Sequence, residues 1–253
     1  LRRPAQAVIS PDILIDYFDG RQLEKFDITP ESIKHLFITH GHWDHCRPKK
    51  VLEFAAGLPH QLQVYGNNMV IEALKFADTY NFNSSNGRFT LREAHTDIGF
   101  HELKPGQSFN IGDTTIVAVH SNHSINKIPH MIMTEQSLNY VFVRDGKTVF
   151  YGLDSSYPFP LTVECLRQFD VDVAVLDATF GQWPIDPVKS GHHNLDMLAE
   201  AIKEFREAGI FHEKTILLAS HIALVEILPY DDLKDEAAKR GMTLAYDGMV
   251  IDI

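Results

Sequence analysis

Short hydrophobic runs bounded by polar residues, glycine or proline recur along most of the chain, and they predict that strands outnumber helices. One such strand is expected over Leu36–Thr39, inside the segment "SIKHLFITH". Other segments with strand-like patterns are "AVISPDILIDYF", "QLQVYG", "TTIVAVH", "VDVAVLDAT" and "KTILLASH".

Two Asp-Gly pairs lie between alternating apolar segments. Asp145-Gly146 interrupts "NYVFVRDGKTVFYGLD", and Asp247-Gly248 interrupts "MTLAYDGMVIDI". Because both residues of this pair accept positive φ angles, each pair predicts a tight β-hairpin. By contrast, the polar, Asn- and Gly-rich segment "NFNSSNGRF" predicts a loop.

Helical spacing of apolar residues appears in fewer places. The segments "KKVLEFAA", "MVIEALKFADTY" and "DDLKDEAAKRG" each predict a helix, with Asn67 or Asn68 as the N-cap of the second. A fourth helix is expected between Asn194 and Gly209, which is placed to end it. Its apolar positions are Leu195, Leu198, Ile202 and Phe205. Mixed hairpins and strand–helix alternation predict an α/β fold with two sheets and outer helices in one domain.

Polar, titratable residues fall repeatedly at or just after the carboxyl ends of the predicted strands. These residues are His40, His123, Asp154, Asp177 and His221. In α/β folds, binding and catalytic sites form where such strand ends meet. The pattern therefore predicts one site that draws on distant parts of the sequence.

Composition narrows the class of protein. The 253 residues are 44% hydrophobic, which suffices for one large domain or two small ones. A net charge of -11 argues against an extended nucleic-acid or anionic-membrane surface. The two cysteines, Cys46 and Cys165, provide no disulfide framework, and no apolar run approaches the ~20 residues of a membrane-spanning helix. We expect a soluble, cytoplasmic protein with reduced thiols.

The segment "THGHWDH" concentrates candidate metal ligands. His40 and His42 are two apart on an extended segment, so both side chains point to the same side and can reach one metal. Asp44 and His45 follow near a helix start and can serve a second metal. Imidazole nitrogen and carboxylate oxygen together suit zinc or manganese, which makes a merely solvated histidine loop the weaker interpretation.

This segment resembles the His-x-His-x-Asp-His signature of the metallo-β-lactamase superfamily. Within it, the chain is most similar to PhnP-like phosphodiesterases of the carbon–phosphorus lyase pathway and, more distantly, to tRNase Z. The counterparts "VYG", "SNHS", "GLDSS", "SGHHNL", "ASH" and "YDGM" follow in the same order. The resemblance implies an αββα sandwich of two mixed β-sheets with outer helices, as a single domain over residues 1–253. The start, "LRRPAQAV", resembles the segment after the relatives' first strand and cysteine cluster, so no extra structural zinc is predicted.

The resemblance also assigns ligands for two divalent cations, zinc or manganese. His123 in "SNHS" matches a third histidine, with nearby His120 as its competitor. Asp154 matches a bridging aspartate, and His221 matches the last ligand. The implied ligand sets are His40, His42, His123 and Asp154 for one cation, and Asp44, His45, His221 and Asp154 for the other.

Catalytic roles follow from the same resemblance. His192 matches a histidine that acts as a general acid or stabilises the leaving group, and Asp177 in "LDATF" matches the carboxylate that orients it. Asp44 is counted among the catalytic residues as well as the ligands. A carboxylate that holds an imidazole fixes its tautomer and raises its pKa, which suits a proton donor. His193 is interpreted as a polar residue at a helix start.

Residues around these positions receive supporting roles. Asp16 falls where relatives often have an aspartate that supports the metal loop. Ser155, Ser156 and Tyr157 follow the bridging aspartate and could line the substrate pocket. For Cys46, next to His45, packing at a helix start is expected instead of ligation.

The implied activity is hydrolysis of a small cyclic or alkyl phosphodiester by a metal-bridging hydroxide, with His192 protonating the leaving group. Asp154 follows His123 by only 31 positions, which leaves no room for the tRNA-gripping arm of tRNase Z. The alternatives are a lactonase, a tRNA 3′-end endonuclease, or a non-catalytic PqqB-like protein. Similar proteins are commonly dimers, so a homodimer is a further expectation.

Overall fold

The computed structural model describes residues 6–18, 23, 28–123, 137–156, 160–185, 191–223 and 228–253. The chain forms two compact units, one over Pro4–Leu103 and the other mainly over Lys104–Ile253. Each unit contains its own mixed β-sheet and its own helices. The predicted α/β class with two mixed sheets is therefore confirmed. We call these the first and second unit.

The sheet of the first unit has five strands. They are, in spatial order, β1 (Ala7–Ser10), β2 (Ile13–Ile15), β3 (His35–Phe37), β4 (Leu62–Gly66) and β7 (Ile98–Glu102). β1 pairs antiparallel with β2, and the other pairings are parallel. The strand predicted over Leu36–Thr39 thus begins and ends earlier than expected, and Ile38 and Thr39 belong to the loop that follows.

The described residues of the first unit also include two α-helices, α1 (Pro48–Ala56) and α2 (Asn68–Thr79). Proline at the first position of α1 suits a helix start, because its missing N–H would have no helical partner there. Asn67 caps α2, since its Oδ1 accepts a hydrogen bond of 2.9 Å from the Val70 N–H. Both helices bury an apolar face against the sheet, in one cluster that includes Cys46. The packing role expected for Cys46 is confirmed.

The sheet of the second unit has seven strands. They are β8 (Ser108–Ile111), β9 (Thr114–His120), β10 (Leu138–Arg144), β11 (Lys147–Gly152), β12 (Val171–Asp177), β13 (Phe211–Ser220) and β14 (Thr243–Leu244). Their spatial order is β14-β13-β12-β11-β10-β9-β8. β10 runs antiparallel to both β9 and β11, whereas β11, β12 and β13 are parallel. Consequently β9, β11, β12 and β13 all end at the same edge of this sheet.

The described residues of the second unit include three α-helices: α3 (Pro160–Leu166), α4 (Leu195–Glu207) and α5 (Tyr230–Lys239). Asn194 caps α4 by accepting a hydrogen bond of 2.9 Å from the Met197 N–H. Gly209 adopts a φ of 74° just beyond the helix, as expected of a residue that ends it. The apolar face predicted for α4 is buried in a cluster with the strands of this unit.

The turn predictions have mixed outcomes. Asp145 and Gly146 have φ angles of 50° and 73° and join β10 to β11, so the first hairpin is confirmed. The hairpin predicted at Asp247-Gly248 is wrong, because residues 245–253 contain no strand. The preceding strand, β14, has only two residues, which are too few to pair with a second hairpin strand. The loop predicted over "NFNSSNGRF" is also wrong in part: it forms the hairpin of β5 (Tyr80–Asn83) and β6 (Arg88–Leu91).

Two further features concern the class of protein. Both cysteines, Cys46 and Cys165, are free thiols, as predicted. Among the helices that the structure describes, each is too short or too polar to cross a membrane.

Candidate functional site

The predicted site residues follow strand ends in both units. In the second unit, His123, Asp154, Asp177 and His221 lie at or within three residues of the ends of β9, β11, β12 and β13. Since these four strands run in one direction, the four side chains start from the same edge of the sheet. In the first unit, His40 follows β3 by three residues.

In the first unit, the motif folds into a tight turn that turns its imidazoles towards one another. The His45 N–H donates to the His42 carbonyl at 3.0 Å. His40 Nε2 lies 2.9 Å from His42 Nδ1, and the His40 and His45 ring centroids are 4.3 Å apart. Two nitrogens bound to one tetrahedral zinc would be roughly 3.3 Å apart, given Zn–N bonds of about 2.0–2.1 Å. The spacing of His40 and His42 therefore fits a shared cation.

Asp44 lies beside this histidine group and is only partly buried. Its Oδ2 is 3.9 Å from His45 Nε2, the nitrogen that would bind a metal. A carboxylate oxygen and an imidazole nitrogen at that separation can approach a common cation with small side-chain movements.

Behind the motif, Asp16 and Thr39 fix the orientation of two rings. Asp16 is fully buried and its Oδ2 lies 2.7 Å from His45 Nδ1. The Thr39 hydroxyl lies 3.0 Å from Asp16 Oδ1 and 3.0 Å from His40 Nδ1. If each Nδ1 carries the proton, His45 donates to Asp16, His40 donates to Thr39, and Thr39 donates to Asp16. Both Nε2 atoms then keep a lone pair for a metal.

Burial raises the pKa of Asp16, and the hydrogen bonds from His45 and Thr39 oppose that rise without cancelling it. The Asp16 backbone N–H is also used, since it donates to the Phe37 carbonyl at 2.7 Å. Asp16 therefore lies where the supporting role predicted for it requires.

In the second unit, Asp154 is surrounded by imidazole nitrogens. Its Oδ1 lies 3.2 Å from His221 Nε2 and 3.9 Å from His192 Nδ1, and its Oδ2 lies 3.9 Å from His123 Nε2. Ligand atoms of Asp154, Asp177, His192 and His221 lie within 4.8 Å of one another, a grouping that could hold a metal ion. The structure thus brings together all five site residues predicted for this unit.

Asp177 and Thr179 support this cluster as Asp16 and Thr39 support the other. Asp177 Oδ2 is 2.8 Å from His192 Nδ1, and its Oδ1 accepts the N–H groups of Thr179 and His193, each at 3.0 Å. The Thr179 hydroxyl lies 2.8 Å from His221 Nδ1 and 3.1 Å from Asp177 Oδ2. With Nδ1 protonated, His221 donates to Thr179 and keeps Nε2 for a metal.

Nδ1 of His123 also lies near an oxygen acceptor, which here is a backbone carbonyl. Its Nδ1 lies 3.0 Å from the Gly191 carbonyl, which leaves Nε2 directed towards the Asp154 carboxylate. The competing His120 instead lines a small cavity on the same unit. Of the two histidines, the geometry favours His123.

The surroundings of Asp177 favour its ionised form. Burial of Asp177 disfavours its charged form, but the charge of His192, the hydrogen bond from it and the charge of His221 together outweigh burial and lower the Asp177 pKa below its usual value. Asp177 is therefore a carboxylate at neutral pH, and it holds the proton of His192 on Nδ1.

Backbone conformation marks the same residues. Among the described residues other than glycine, four have a positive φ, and one of them, Asp145, forms a hairpin turn. The other three are Asp16, Asp154 and His221, at 54°, 47° and 62°. Such conformations are costly for residues with a Cβ and tend to cluster at functional sites.

His193 directly precedes Asn194, the cap of α4, as expected of a polar residue at a helix start. It is buried, and burial lowers its pKa to about 4. With Ser155 and Ser156 it lines a cavity of about 20 Å³, which has room for one water molecule. The substrate-lining role predicted for Ser155 and Ser156 stays a prediction, and Tyr157 lies outside the described residues.

Two supporting residues escaped the sequence analysis: Thr39 and Thr179. Each is adjacent or nearly adjacent to a predicted site residue, which is the only signal the sequence offers. Their contacts with the predicted ligands depend on side-chain rotamers and, for Thr179 and His221, on the pairing of residues 42 positions apart.

Comparison with solved structures gives the fold. Zn²⁺-bound PqqB from Methylobacterium extorquens is similar, with a TM-score of 0.67 and 11% identity over 99% of this chain and 88% of that chain. The short form of human tRNase Z has a TM-score of 0.65 and 18% identity, covering 99% and 95%. A diphosphatase of the PhnP family has a TM-score of 0.62 and 19% identity, covering 95% and 79%.

At these identities the likeness establishes the metallo-β-lactamase fold predicted from the sequence, and nothing finer. No curated protein sequence matches the chain. Residues 11–222, most of the chain, match the family model described as the beta-lactamase superfamily domain. The ordered motifs, the two mixed sheets and this match lead to one conclusion: the chain belongs to the metallo-β-lactamase superfamily.

Proposed function

We propose that this protein is a metal-dependent hydrolase that cleaves a small cyclic or alkyl phosphodiester. The donor chemistry supports metal binding, because imidazole nitrogens are combined with carboxylate oxygens as zinc or manganese prefers. When bound, such cations would polarise a phosphoryl oxygen and acidify the attacking water. The PhnP-family likeness favours a phosphorus-containing substrate, and the tRNase Z and PqqB likenesses supply the alternatives.

The proposed ligands are those that the resemblance assigns to two cations. They are His40, His42, His123 and Asp154 for one cation, and Asp44, His45, His221 and Asp154 for the other. This division is supported by the order of the motifs along the chain. Ligation through Nε2 is supported, within each unit, by the Nδ1 atoms of four of these histidines, because each Nδ1 lies near an oxygen acceptor.

The hydrogen bond of 2.8 Å between Asp177 and His192 is the observation that carries the choice of reaction. The carboxylate stabilises the protonated imidazole, and it positions the ring so that Nε2 holds the proton for transfer. An alkoxide leaving group needs such a proton, whereas a non-catalytic metal-binding protein does not. His192 is thus proposed to protonate the departing oxygen from Nε2.

Two properties of the chain favour a small substrate. The 31 positions from His123 to Asp154 are too few for an RNA-gripping arm, and the net charge of -11 disfavours a long polyanion. A small phosphodiester carries one negative charge, which bound cations would offset locally.

The test compares leaving groups. We expect the metal-loaded protein to hydrolyse bis-p-nitrophenyl phosphate and nucleoside cyclic phosphates, and to leave lactones intact. His192→Ala should lower kcat by about 10²–10⁴-fold for alkyl phosphodiesters. The loss should be much smaller for p-nitrophenyl esters, because p-nitrophenolate leaves without a proton. The variant should retain the metal content of the wild type.

The control is His212→Ala, since His212 belongs to the same unit but is exposed and pairs with Asp170 at 3.1 Å. It should have wild-type rates for both kinds of ester. Lactone turnover without phosphodiester turnover would contradict the proposed function. Equal losses for both leaving groups would show that His192 does not donate the proton.

A further inference from the structure

The hairpin β5–β6 of the first unit has one entirely apolar face that is not buried. Cross-strand pairs Tyr80–Leu91 and Phe82–Phe89 lie on this face. The remaining positions, on the opposite face, are all polar: Asn81, Asn83, Arg88 and Thr90. In ordinary sheets such alternation accompanies burial of the apolar face, yet every residue of both strands is exposed.

The apolar side chains form one continuous patch with the end of α2. Phe76 of this helix contacts Tyr80 and Phe89, with ring centroids 5.0 and 5.3 Å apart, and Phe82 lies 5.0 Å from Phe89. We call this set the aromatic face. The exposed fractions of its members are Phe76 48%, Tyr80 38%, Phe82 59%, Phe89 54% and Leu91 70%.

The exposed apolar area of this face is large enough to indicate an interaction surface. These fractions amount to between two and three whole side chains, or roughly 500 Å² at about 150–250 Å² per aromatic side chain. Patches of that size on monomers are commonly interaction surfaces. A two-stranded hairpin in water is also only marginally stable without such a cover.

We propose that the aromatic face is the contact surface of a homodimer, in which the aromatic faces of two copies pack around a two-fold axis. Two such faces together bury roughly 1,000 Å², the lower bound for a specific interface. A two-fold contact uses the same patch twice, so a flat apolar row can serve as its own partner.

The charges around the patch fit a second copy better than a lipid surface. On α2, Lys75 pairs with Glu72 at 3.0 Å, and beyond β6 Arg92 is followed by Glu93. Charges of both signs therefore surround the face, instead of the lysine and arginine clusters that bind anionic lipid. This proposal is independent of the hydrolase activity.

The test measures the mass of the full chain in solution by light scattering coupled to gel filtration, at low and high micromolar concentration. We expect the wild type to have twice the monomer mass. The double variant Phe82→Ser/Phe89→Ser should raise the dimer dissociation constant by at least about 100-fold, which corresponds to about 2.7 kcal/mol. Leu91→Asp, a single change at the most exposed position, should also produce a monomer.

The matched control is Asn81→Ser/Thr90→Ser, on the same strands but on the polar face, and it should remain dimeric. Circular dichroism shows whether each variant is folded. Independently of any variant, backbone amides of the hairpin should exchange hydrogen more slowly at high concentration than at low concentration.

A wild type that stays monomeric at high concentration would overturn the proposal. A dimer that both aromatic-face variants leave intact would do so as well. If the monomeric wild type cosediments with phosphatidylcholine vesicles, the face binds lipid and the dimer proposal is wrong.

Discussion

At the scale of single residues, two threonines have corresponding contacts in the two units. The Thr39 hydroxyl links the Asp16 carboxylate to His40 and lies 3.1 Å from His45 Nδ1. The Thr179 hydroxyl links Asp177 to His221 and lies 3.2 Å from His192 Nδ1. Each buried carboxylate therefore orients one imidazole directly. Through the threonine hydroxyl it also orients a second imidazole.

Replacing Thr179 by valine tests this link. Valine keeps the branched shape but removes the hydroxyl, so His221 Nδ1 loses its acceptor and its ring is less well oriented. We expect metal affinity to fall by about 10–100-fold in Thr179→Val, as measured by competition with a chromophoric chelator. Thr179→Ser should retain affinity near the wild-type value, and Thr90→Val, on the exposed hairpin, should not change it. Unaltered affinity in Thr179→Val would exclude this supporting role.

Burial of His193 makes the stability of the folded protein depend on pH. Burial lowers its pKa from 6.5 to about 4, so the unfolded chain binds more protons than the native chain between those values. Stability must therefore fall as the pH drops from 6.5 towards 4, by about 3 kcal/mol for this one group. Above pH 6.5 the group contributes no pH dependence.

The measurement is urea unfolding at neutral pH and near pH 4, with a chelator present so that metal release does not contribute. In His193→Asn, the drop in unfolding free energy should be smaller than in the wild type by about 3 kcal/mol. Equal drops in the two proteins would show that His193 is not held neutral by burial.

At the scale of elements, local periodicity predicted most strands and helices because their signals lie within a few residues. Asn67 and Asn194, for example, cap α2 and α4 as their positions before apolar helical patterns indicated. The two errors have a different origin. Polar residues around Phe82 and Phe89 obscured the alternation of the β5–β6 hairpin, and Asp247-Gly248 lacked a partner strand, which only the tertiary structure reveals.

The N-cap of α4, Asn194, lies close in sequence to the proposed general acid His192. Asn194 accepts a hydrogen bond from the Met197 N–H and donates one to the Trp183 carbonyl at 2.9 Å. Asn194→Ala should lower the free energy of unfolding by about 1 kcal/mol. Because Asn194 lies two residues after His192, we also expect a lower kcat for alkyl phosphodiesters.

Asn67→Ala is the matched control, since Asn67 caps α2 through the same type of bond and its unit does not contain His192. It should lose a similar amount of stability without the selective loss in kcat. If both variants lose kcat equally, the effect comes from stability and not from the position of His192.

At the scale of the whole molecule, the sequence places the proposed ligands over about 180 positions, from His40 to His221. Strand ends marked His40, His123, Asp154 and His221, because a polar side chain after a buried strand is a local feature, and the resemblance to the superfamily supplied the ligand roles. The supporting contacts were not predictable, since Thr179 and His221 meet only after β12 and β13 have paired. Local sequence features therefore identify the proposed ligands, whereas the orientation of their side chains depends on the completed sheet.

Metal stoichiometry tests the proposed division of ligands between the two cations. We expect the wild type to bind two equivalents of zinc or manganese, measured by elemental mass spectrometry after dialysis. His45→Ala and His221→Ala remove ligands proposed for the same cation, so each variant should bind one equivalent, and so should the double variant. The double variant His42→Ala/His221→Ala removes a ligand of each cation and should bind none, while His212→Ala should bind two. A double His45→Ala/His221→Ala variant that binds no metal would show that these two histidines serve different cations.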